Sequence, residues 1–302
     1  MKQVTRKHLF MLSSIAFLLI AGLSLIYSFG YRLGEGGIVR TGGLFIAASP
    51  SVDIDVFVND KHIKKTSLLS RSVFLQSLRP GEYTVRIERE DFRTWEKTIS
   101  VKQELVSEVR ALLLSDSPRA TVLANGDFLS LDSWNNTTFI VESEFGKKRY
   151  FDTENNVFIS PTGLRASTTP QILSEEVRDY ITELDSKNVV IDQTKNRILW
   201  WDGRSVWIEW LPNAQLPFYV EDGVSRIYKD LRAIRDVQFY PRREAAIVTT
   251  RNDILVVEFD GRGGHIATPL YKGKSPKIIV PNPLNRTAYI LDGGTLFEVK
   301  LQ

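Results

Sequence analysis

The residues best suited to contact a ligand are four tryptophans that lie close together in the sequence: Trp200, Trp201, Trp207 and Trp210. Indole faces stack on sugar rings and on apolar side chains, and the same faces also fill protein cores. Trp200 and Trp201 are consecutive, so on a strand they point to opposite faces and at most one of them lies in the interior. We therefore take the four as candidate ligand-binding residues, with packing between sheets as the alternative role.

Residues that could carry out catalysis are scarce. The absence of cysteine excludes thiolate chemistry, disulfides and cysteine-based zinc sites, and only His8, His62 and His265 could contribute imidazoles to a metal site. Asp53 and Asp55 alternate with aliphatic residues, which predicts that both lie on the solvent face of a strand. A glycosidase instead needs two carboxylates facing each other across a cleft. The sequence therefore predicts no catalytic residue, no metal and no cofactor.

The elements that must position the tryptophans follow an apolar N-terminal segment. Residues 9–29 carry no charge, and about 20 such residues span the hydrocarbon core of a bilayer as a helix. Lys2, Arg6 and Lys7 precede this segment, so we predict a cytoplasmic stub at 1–8, a single-pass transmembrane helix at 9–29 and an extracytoplasmic bulk. The lipid bilayer is thus a predicted partner. The alternative is a cleaved signal peptide, for which Gly22-Leu23-Ser24 is a poor cleavage pattern.

The composition is that of a folded protein. The chain of 302 residues is 43% hydrophobic and 25% charged, which is unlike a disordered polymer. Its net charge is only +3, with basic and acidic residues interleaved, so no nucleic-acid partner is predicted. Residues 30–42 are rich in glycine, which predicts a short flexible stalk after the apolar segment.

Alternating apolar and polar residues predict a small antiparallel β-sandwich over residues 43–114. Two stretches support a family resemblance: Val56-Phe57-Val58-Asn59-Asp60 and Leu78-Arg79-Pro80-Gly81-Glu82-Tyr83-Thr84-Val85. In their order and content they resemble the PEGA domain, a small module of exported bacterial and archaeal proteins. Thr66-Ser67 and Asp91 depart from that family's pattern. The resemblance implies an extracytoplasmic structural or binding module without catalytic residues.

Residues 118–302 contain an internal repeat. Arginines at 149, 197, 243 and 286 follow similar apolar runs and recur at intervals of about 45 residues, a period typical of propeller blades with four strands each. The copies resemble blades of WD-repeat-like or TolB-type β-propellers, and the segment allows about four of them. A fifth, partial copy is predicted at residues 119–132. A stack of sheets that does not form a ring is the alternative.

One segment interrupts the β pattern. Leu173, Val177, Tyr180 and Leu184 recur at helical spacing, and Thr169-Pro170 supplies a cap and a first-turn proline. We predict an amphipathic helix inserted between strands, with its apolar stripe packed on a sheet. A docking surface for a partner is the alternative role for this stripe.

Together these features predict an all-β protein with one N-terminal transmembrane helix, a small PEGA-like sandwich and a propeller-like repeat domain with one inserted helix. The predicted function is that of a membrane-anchored, non-enzymatic binding or scaffold protein of the cell envelope. Its predicted partner is a cell-wall polymer, a glycan or a surface protein. The alternative is an extracytoplasmic hydrolase with its site in the central channel of the propeller, which would require converging carboxylates or a nucleophile there.

Overall fold

A computed structural model describes residues 2–34, 37–134, 137–160, 188–192, 194–280 and 286–302, together with Arg178, Tyr180, Thr182 and Leu184. The chain divides into two compact units. Unit 1 comprises Met1–Arg89 and Thr94–Ala111, and unit 2 comprises Glu90–Arg93 and Leu112–Gln302. The prediction of a mostly β chain with one N-terminal apolar helix is confirmed.

Unit 1 begins with helix α1 (Lys2–Ser28), whose large apolar side chains from Leu9 to Tyr27 are exposed. The helix ends where Phe29 N–H donates to Leu25 C=O at 2.9 Å, and Gly30 follows with a φ of +82°, a conformation that glycine adopts without strain. Lys7–Ser28 is long and apolar enough to cross a membrane, which makes it a candidate single-pass anchor or signal sequence.

The segment predicted as a flexible stalk differs from that expectation. Strands β1 (Tyr31–Gly34) and β2 (Gly37–Arg40) pair as an antiparallel hairpin, with Tyr31 opposite Arg40. The glycines are concentrated where the chain reverses, and the flanking residues Tyr31, Ile38 and Val39 favour extended backbone. Gly34 and Gly37 of this segment therefore lie at the turn of a hairpin, where they pair with each other.

Among the described residues, two sheets follow in unit 1. Their strands are β3 (Gly42–Ser49), β4 (Asp55–Val58), β5 (Lys61–Lys65), β6 (Ser72–Leu78), β7 (Gly81–Glu88), β8 (Trp95–Val101) and β9 (Val106–Leu112). The strand orders are β6-β3-β9 and β5-β4-β7-β8. Buried residues alternate along the strands, for example Leu44 and Ile46 on β3 and Ile99 and Val101 on β8, as a period of two requires. The resemblance to the PEGA domain stays a prediction.

The described residues of unit 2 form four sheets of four antiparallel strands, which we call blades 1 to 4. Blade 1 contains β11 (Phe128–Ser133), β12 (Thr138–Ser143), β13 (Lys148–Asp152) and β14 (Val157–Ile159), and blade 2 contains β15 (Val189–Asp192), β16 (Arg197–Trp201), β17 (Ser205–Trp210) and β18 (Val224–Lys229). Blade 3 contains β19 (Asp236–Phe239), β20 (Ala245–Thr249), β21 (Asp253–Glu258) and β22 (Ala267–Lys272). Blade 4 contains β23 (Lys277–Ile279), β24 (Thr287–Asp292), β25 (Thr295–Lys300) and β10 (Ala120–Asn125). Apart from β10, each blade is a meander of consecutive strands.

The predicted partial fifth copy, residues 119–132, is not an additional blade. Strand β10 pairs with β25, with Ala120 opposite Val299 and Asn125 opposite Thr295, and so completes blade 4. Strand β11 opens blade 1. An unpaired edge strand leaves backbone groups without partners, and adding β10 to the last sheet satisfies one such edge. The pairing also ties the beginning of unit 2 to its end.

Buried cores join the blades in the order 2, 3, 4, 1. The junction of blades 2 and 3 includes Leu199, Trp201, Ile208, Val237, Ala246 and Val257. The junction of blades 3 and 4 includes Ile247, Ile254, Val256, Ile278 and Ile290, and that of blades 4 and 1 includes Phe139, Phe151, Tyr289 and Leu291. Sheets packed face to face around successive junctions form a propeller-like arrangement.

The predicted helix at 169–184 lies largely outside the described residues. Of this segment the structure describes Arg178, Tyr180 and Thr182, which have helical backbone, and Leu184, whose N–H donates to Tyr180 C=O at 3.1 Å. These residues belong to the connection between blades 1 and 2.

Candidate functional site

The tryptophan cluster lies on the two central strands of blade 2. Asp202 begins the turn that joins β16 to β17, and its Oδ1 accepts the backbone N–H groups of Arg204 at 2.6 Å and Ser205 at 2.7 Å. An aspartate that bonds to the backbone two residues on favours a tight turn. The turn sets the register of the hairpin, which places Trp200 opposite Trp207.

Trp201 and Trp210 lie on the face of blade 2 that meets blade 3, and both are buried in the core of that junction. The Trp210 ring meets the ring of Phe259 edge-on, with centroids 6.4 Å apart. These two candidate ligand-binding residues are therefore packing residues. The structure assigns them the alternative role because the facing sheet covers them.

Trp200 and Trp207 lie on the opposite face and are half-buried. Their rings stack in parallel, with centroids 4.1 Å apart and an interplanar angle of 8°. Each ring uses one face in this contact, and both side chains are partly exposed. We call the surface formed by Trp200, Trp207, Glu209 and Arg226 the tryptophan face.

Glu209 and Arg226 supply charge at this surface. Glu209 Oε2 accepts the indole N–H of Trp200 at 3.2 Å, and its other carboxylate oxygen accepts the hydroxyl of Tyr180. Arg226 is exposed and pairs in register with Trp207. Sequence reasoning did not single out Glu209, although its position two residues after Trp207 puts both side chains on one face of the strand.

A charge cluster around the buried Arg197 lies where the central strand β16 of the same blade begins. The Arg197 side chain is 3% exposed, and its guanidinium contacts Asp192 at 3.0 Å and Glu244 of the turn in blade 3. Lys195 also pairs with Glu244, whose Oε2 accepts the hydroxyl of Tyr219 at 3.2 Å. Here Arg197, which the sequence marked only as a repeat position, joins two blades by ionic contacts.

These contacts shift two pKa values. Burial by itself would raise the pKa of Glu244, but the attraction of Arg197 and the contact with Lys195 outweigh it and hold this pKa below its ordinary value. Burial, together with the charge of Glu244, raises the pKa of Tyr219 well above its ordinary value. Both groups therefore keep a fixed protonation state near neutral pH, as expected for a cluster that joins two blades.

The carboxylates considered for catalysis lie in separate places. Asp53 precedes β4 with a φ of 55°, so the strand begins later than the alternation predicts, and Asp55 lies 2.9 Å from His62 Nε2.

In unit 2, Asp236 begins the first strand of blade 3, and burial raises its pKa. Gln238 Nε2 donates to Asp236 Oδ2 at 2.8 Å and lies 2.7 Å from the carbonyl of Ile278. Among the described residues, no group of three or more His, Asp or Glu side chains is placed to hold a metal ion.

A concavity of about 370 Å³ lies where blades 4 and 1 meet. Its lining includes Asp127, Glu144 and Lys277, together with the hairpin glycines Gly293 and Gly294. Lys277 Nζ donates to the Leu129 carbonyl at 2.9 Å, so this cation also links strands of the two blades.

Comparison with solved structures finds similarity to β-propeller domains. The WD40 domain of SCAP from fission yeast shares 12% identity at a TM-score of 0.24, with 61% of this chain and 42% of that chain covered. The β-propeller domain of Cps50 (Swd1) from Myceliophteria thermophila shares 10% identity at a TM-score of 0.28, with 76% of this chain and 67% of that chain covered. The CNH domain of AfRom2 shares 13% identity at a TM-score of 0.25, with 80% of this chain and 70% of that chain covered.

No known protein family and no curated protein sequence matches this chain. The chain spans less than half the length of the SCAP structure that it resembles. The assignment of unit 2 as propeller-like rests on its own strand order and on the cores between its blades.

Proposed function

We propose that this protein is a membrane-anchored, extracytoplasmic binding protein without enzymatic activity, and that its tryptophan face binds a glycan of the cell envelope. The observation that carries the proposal is the parallel stack of Trp200 and Trp207 beside a carboxylate, on the face of blade 2 opposite its core with blade 3. A cell-wall polymer or the glycan of a surface protein would present the same chemistry. Helix α1 would hold the protein in the bilayer.

The arrangement suits a sugar because it offers two kinds of contact at once. The free face of an indole packs against the axial C–H groups of a pyranose, which are apolar. A carboxylate accepts hydrogen bonds from hydroxyl groups, and Glu209 has acceptor capacity beyond the two donors that it already meets. Arg226 beside Trp207 adds a donor for a hydroxyl or carboxylate of the ligand.

Replacing Trp207 by alanine is expected to weaken glycan binding by about 2- to 13-fold, because one stacked ring is worth about 0.5–1.5 kcal/mol beyond its area. Binding of muropeptides and chito-oligosaccharides to the full chain would be measured by calorimetry. Phe218→Ala is the matched control, since Phe218 is an exposed aromatic in the same blade but outside the tryptophan face. Unchanged affinity in the Trp207 variant, or an equal loss in the control, would contradict the proposal.

The membrane placement has its own test. Leu18→Arg puts a charge in the middle of the candidate span and is expected to reduce insertion, at a cost of about 2.5–3.5 kcal/mol. The full chain should resist extraction from membranes by alkaline carbonate, whereas the variant should be extracted to a much greater extent. Leu69→Arg, at an exposed loop position of unit 1, serves as the control. Extraction of the unaltered chain would show that α1 does not anchor it.

An extracytoplasmic hydrolase with a site in the channel is the second candidate function. It is favoured by Asp236, whose pKa is raised by burial, because carboxyls that act as general acids in glycosidases have raised pKa values. Its carboxyl accepts hydrogen bonds from the amide of Gln238 and from the backbone N–H of Val237. Turnover of a glycan that disappears in Asp236→Asn but persists in Trp207→Ala would favour the hydrolase over the binding protein.

A further inference from the structure

The two sheets of unit 1, which form the sandwich predicted from the sequence and are called the sandwich below, start close to the end of helix α1. Thr41 N–H, one residue before β3, donates to the carbonyl of Gly30 at 2.9 Å. The intervening residues form the β1-β2 hairpin, so they do not act as an extended spacer. If α1 crosses the bilayer, β3 therefore begins beside the point at which the helix leaves it.

The loop between β8 and β9 is fixed at the same place. Glu104 N–H donates to the Thr41 carbonyl at 3.1 Å, and Gly43 N–H donates to the Leu105 carbonyl at 2.9 Å. A Cβ at Gly42 would lie 2.2 Å from the carbonyl oxygen of Lys102, so the close approach of this loop requires glycine. The β6-β7 turn is also near, because Leu78 pairs with Gly42.

This end of the sandwich combines apolar and basic side chains. Leu105 and Val106 are adjacent and are 57% and 56% exposed. Lys102 and Arg79 are exposed beside them, and the nearby carboxylate of Glu104 is paired with Arg40. We call Leu105, Val106, Arg79 and Lys102 the proximal surface. Exposed aliphatic side chains flanked by cations suit the interface of an anionic bilayer.

Aromatic residues at the end of α1 mark the same depth. Tyr27 and Phe29 are exposed, and the guanidinium of Arg32 lies 3.4 Å from the Tyr27 ring centroid. Tyrosine and arginine are typical of the level of the lipid headgroups. The proximal surface thus lies next to residues that would mark the headgroup layer.

We propose that the proximal surface rests on the headgroups of an anionic phospholipid bilayer, with Leu105 and Val106 inserted among them. This inference rests on the proposed membrane anchoring. It turns α1 and the sandwich into a two-point attachment, in which the loop limits how far the sandwich can tilt from the membrane.

The chain supplies matched positions for a test because it contains no cysteine. Leu69, which is 100% exposed, lies in the β5-β6 loop just before Ser72, and Ser72 pairs with Ala47 at the far end of β3. At about 3.4 Å per residue, the five residues from Gly42 to Ala47 separate this loop from the proximal surface by about 17 Å. A probe at Leu69 therefore reports on the distal end of unit 1.

The experiment uses the full chain with single substitutions Leu105→Cys, Leu69→Cys or Leu18→Cys, each labelled with a nitrobenzoxadiazole fluorophore. The proteins are reconstituted in phosphatidylcholine vesicles with or without 30% phosphatidylglycerol, carrying spin labels at the headgroup or in mid-chain. We expect headgroup labels to quench the probe at position 105 at least twofold in the anionic vesicles. The probe at 69 should stay unquenched, and the probe at 18 should respond to the mid-chain label.

The three probes separate the inference from the proposed function. Quenching at 18 without quenching at 105 would overturn the docked surface and leave the anchor intact. Absence of quenching at 18 would overturn the anchor itself. Equal quenching of the probes at 69 and 105 would show that the sandwich does not contact the bilayer through the proximal surface. The double substitution Arg79→Gln and Lys102→Gln should reduce quenching at 105 to its level in neutral vesicles, and an unchanged signal would exclude recognition of anionic lipid.

Discussion

Replacing Arg197 by methionine is expected to lower the free energy of unfolding of unit 2 by about 3 kcal/mol. Arg197 is the most buried member of an ionic cluster that joins blade 2 to blade 3, with a side chain that is 3% exposed. Methionine fills similar volume but leaves the carboxylates of Asp192 and Glu244 without their main partner. Removing one member of a buried pair costs about 3–5 kcal/mol, and the partial exposure of these carboxylates favours the lower end.

The measurement is thermal unfolding of the full chain, followed by tryptophan fluorescence. For a unit of this size, 3 kcal/mol corresponds to a decrease in Tm of about 6–12 °C. Lys195→Met is the matched control, because Lys195 contacts the same Glu244 but is 47% exposed, and surface pairs contribute about 0–1 kcal/mol. An equal decrease in Tm in the two variants would show that the burial of Arg197 does not increase its contribution to stability.

The same cluster predicts a pH dependence. Because the pKa of Glu244 is lowered in the folded state, its ionised form stabilises the fold at any pH above the ordinary glutamate value of about 4.3. That contribution is lost as the pH falls through the lowered value. The difference in Tm between the unaltered chain and Arg197→Met should therefore shrink below about pH 4.

Replacing Gly294 by alanine is expected to destabilise the chain more than replacing its neighbour Gly293. Both glycines have positive φ, +57° for Gly293 and +78° for Gly294, a region that costs alanine about 1–2 kcal/mol. A Cβ at Gly293 meets open space, whereas one at Gly294 would lie 2.3 Å from the backbone oxygen of Gly126. Relieving that contact should cost about 1–3 kcal/mol more.

The position of Gly294 makes this difference informative. Gly126 N–H donates to the Gly294 carbonyl at 3.0 Å, which ties the loop before blade 1 to the β24-β25 hairpin of blade 4. Chemical denaturation of Gly293→Ala and Gly294→Ala would compare the two directly. Equal midpoints would mean that this close approach does not stabilise the junction of blades 4 and 1.

Much of the local structure could be predicted because it depends on nearby residues. The uncharged run at 9–29 predicts a helix, and α1 (Lys2–Ser28) covers all of that run except Phe29. Asp202 stands at the turn between β16 and β17, and its Oδ1 accepts the backbone N–H of Ser205 three residues on. The β16-β17 and β24-β25 hairpins contain Gly203 and Gly293, and glycine is a residue type typical of tight turns.

Other features depend on partners far away in the sequence. Nothing local in residues 120–125 indicates that they pair with β25, because strand pairing is decided by which edge is available once the sheets form. For the same reason, residues 119–132 have the content of a repeat without forming a blade. The hairpin at 31–40 also differs from the predicted stalk, since glycine content alone does not distinguish a turn from a linker.

The sequence by itself determined that Trp200 and Trp201 point to opposite faces, because side chains alternate along a strand. It also determined the apolar N-terminal helix and the four-strand repeat, because local hydrophobic patterns predict both. Only the tertiary structure decided that Trp201 is the buried member and that Trp200 stacks on Trp207. That choice depends on which face of blade 2 meets blade 3, and such a contact is formed by residues that are neighbours only after folding.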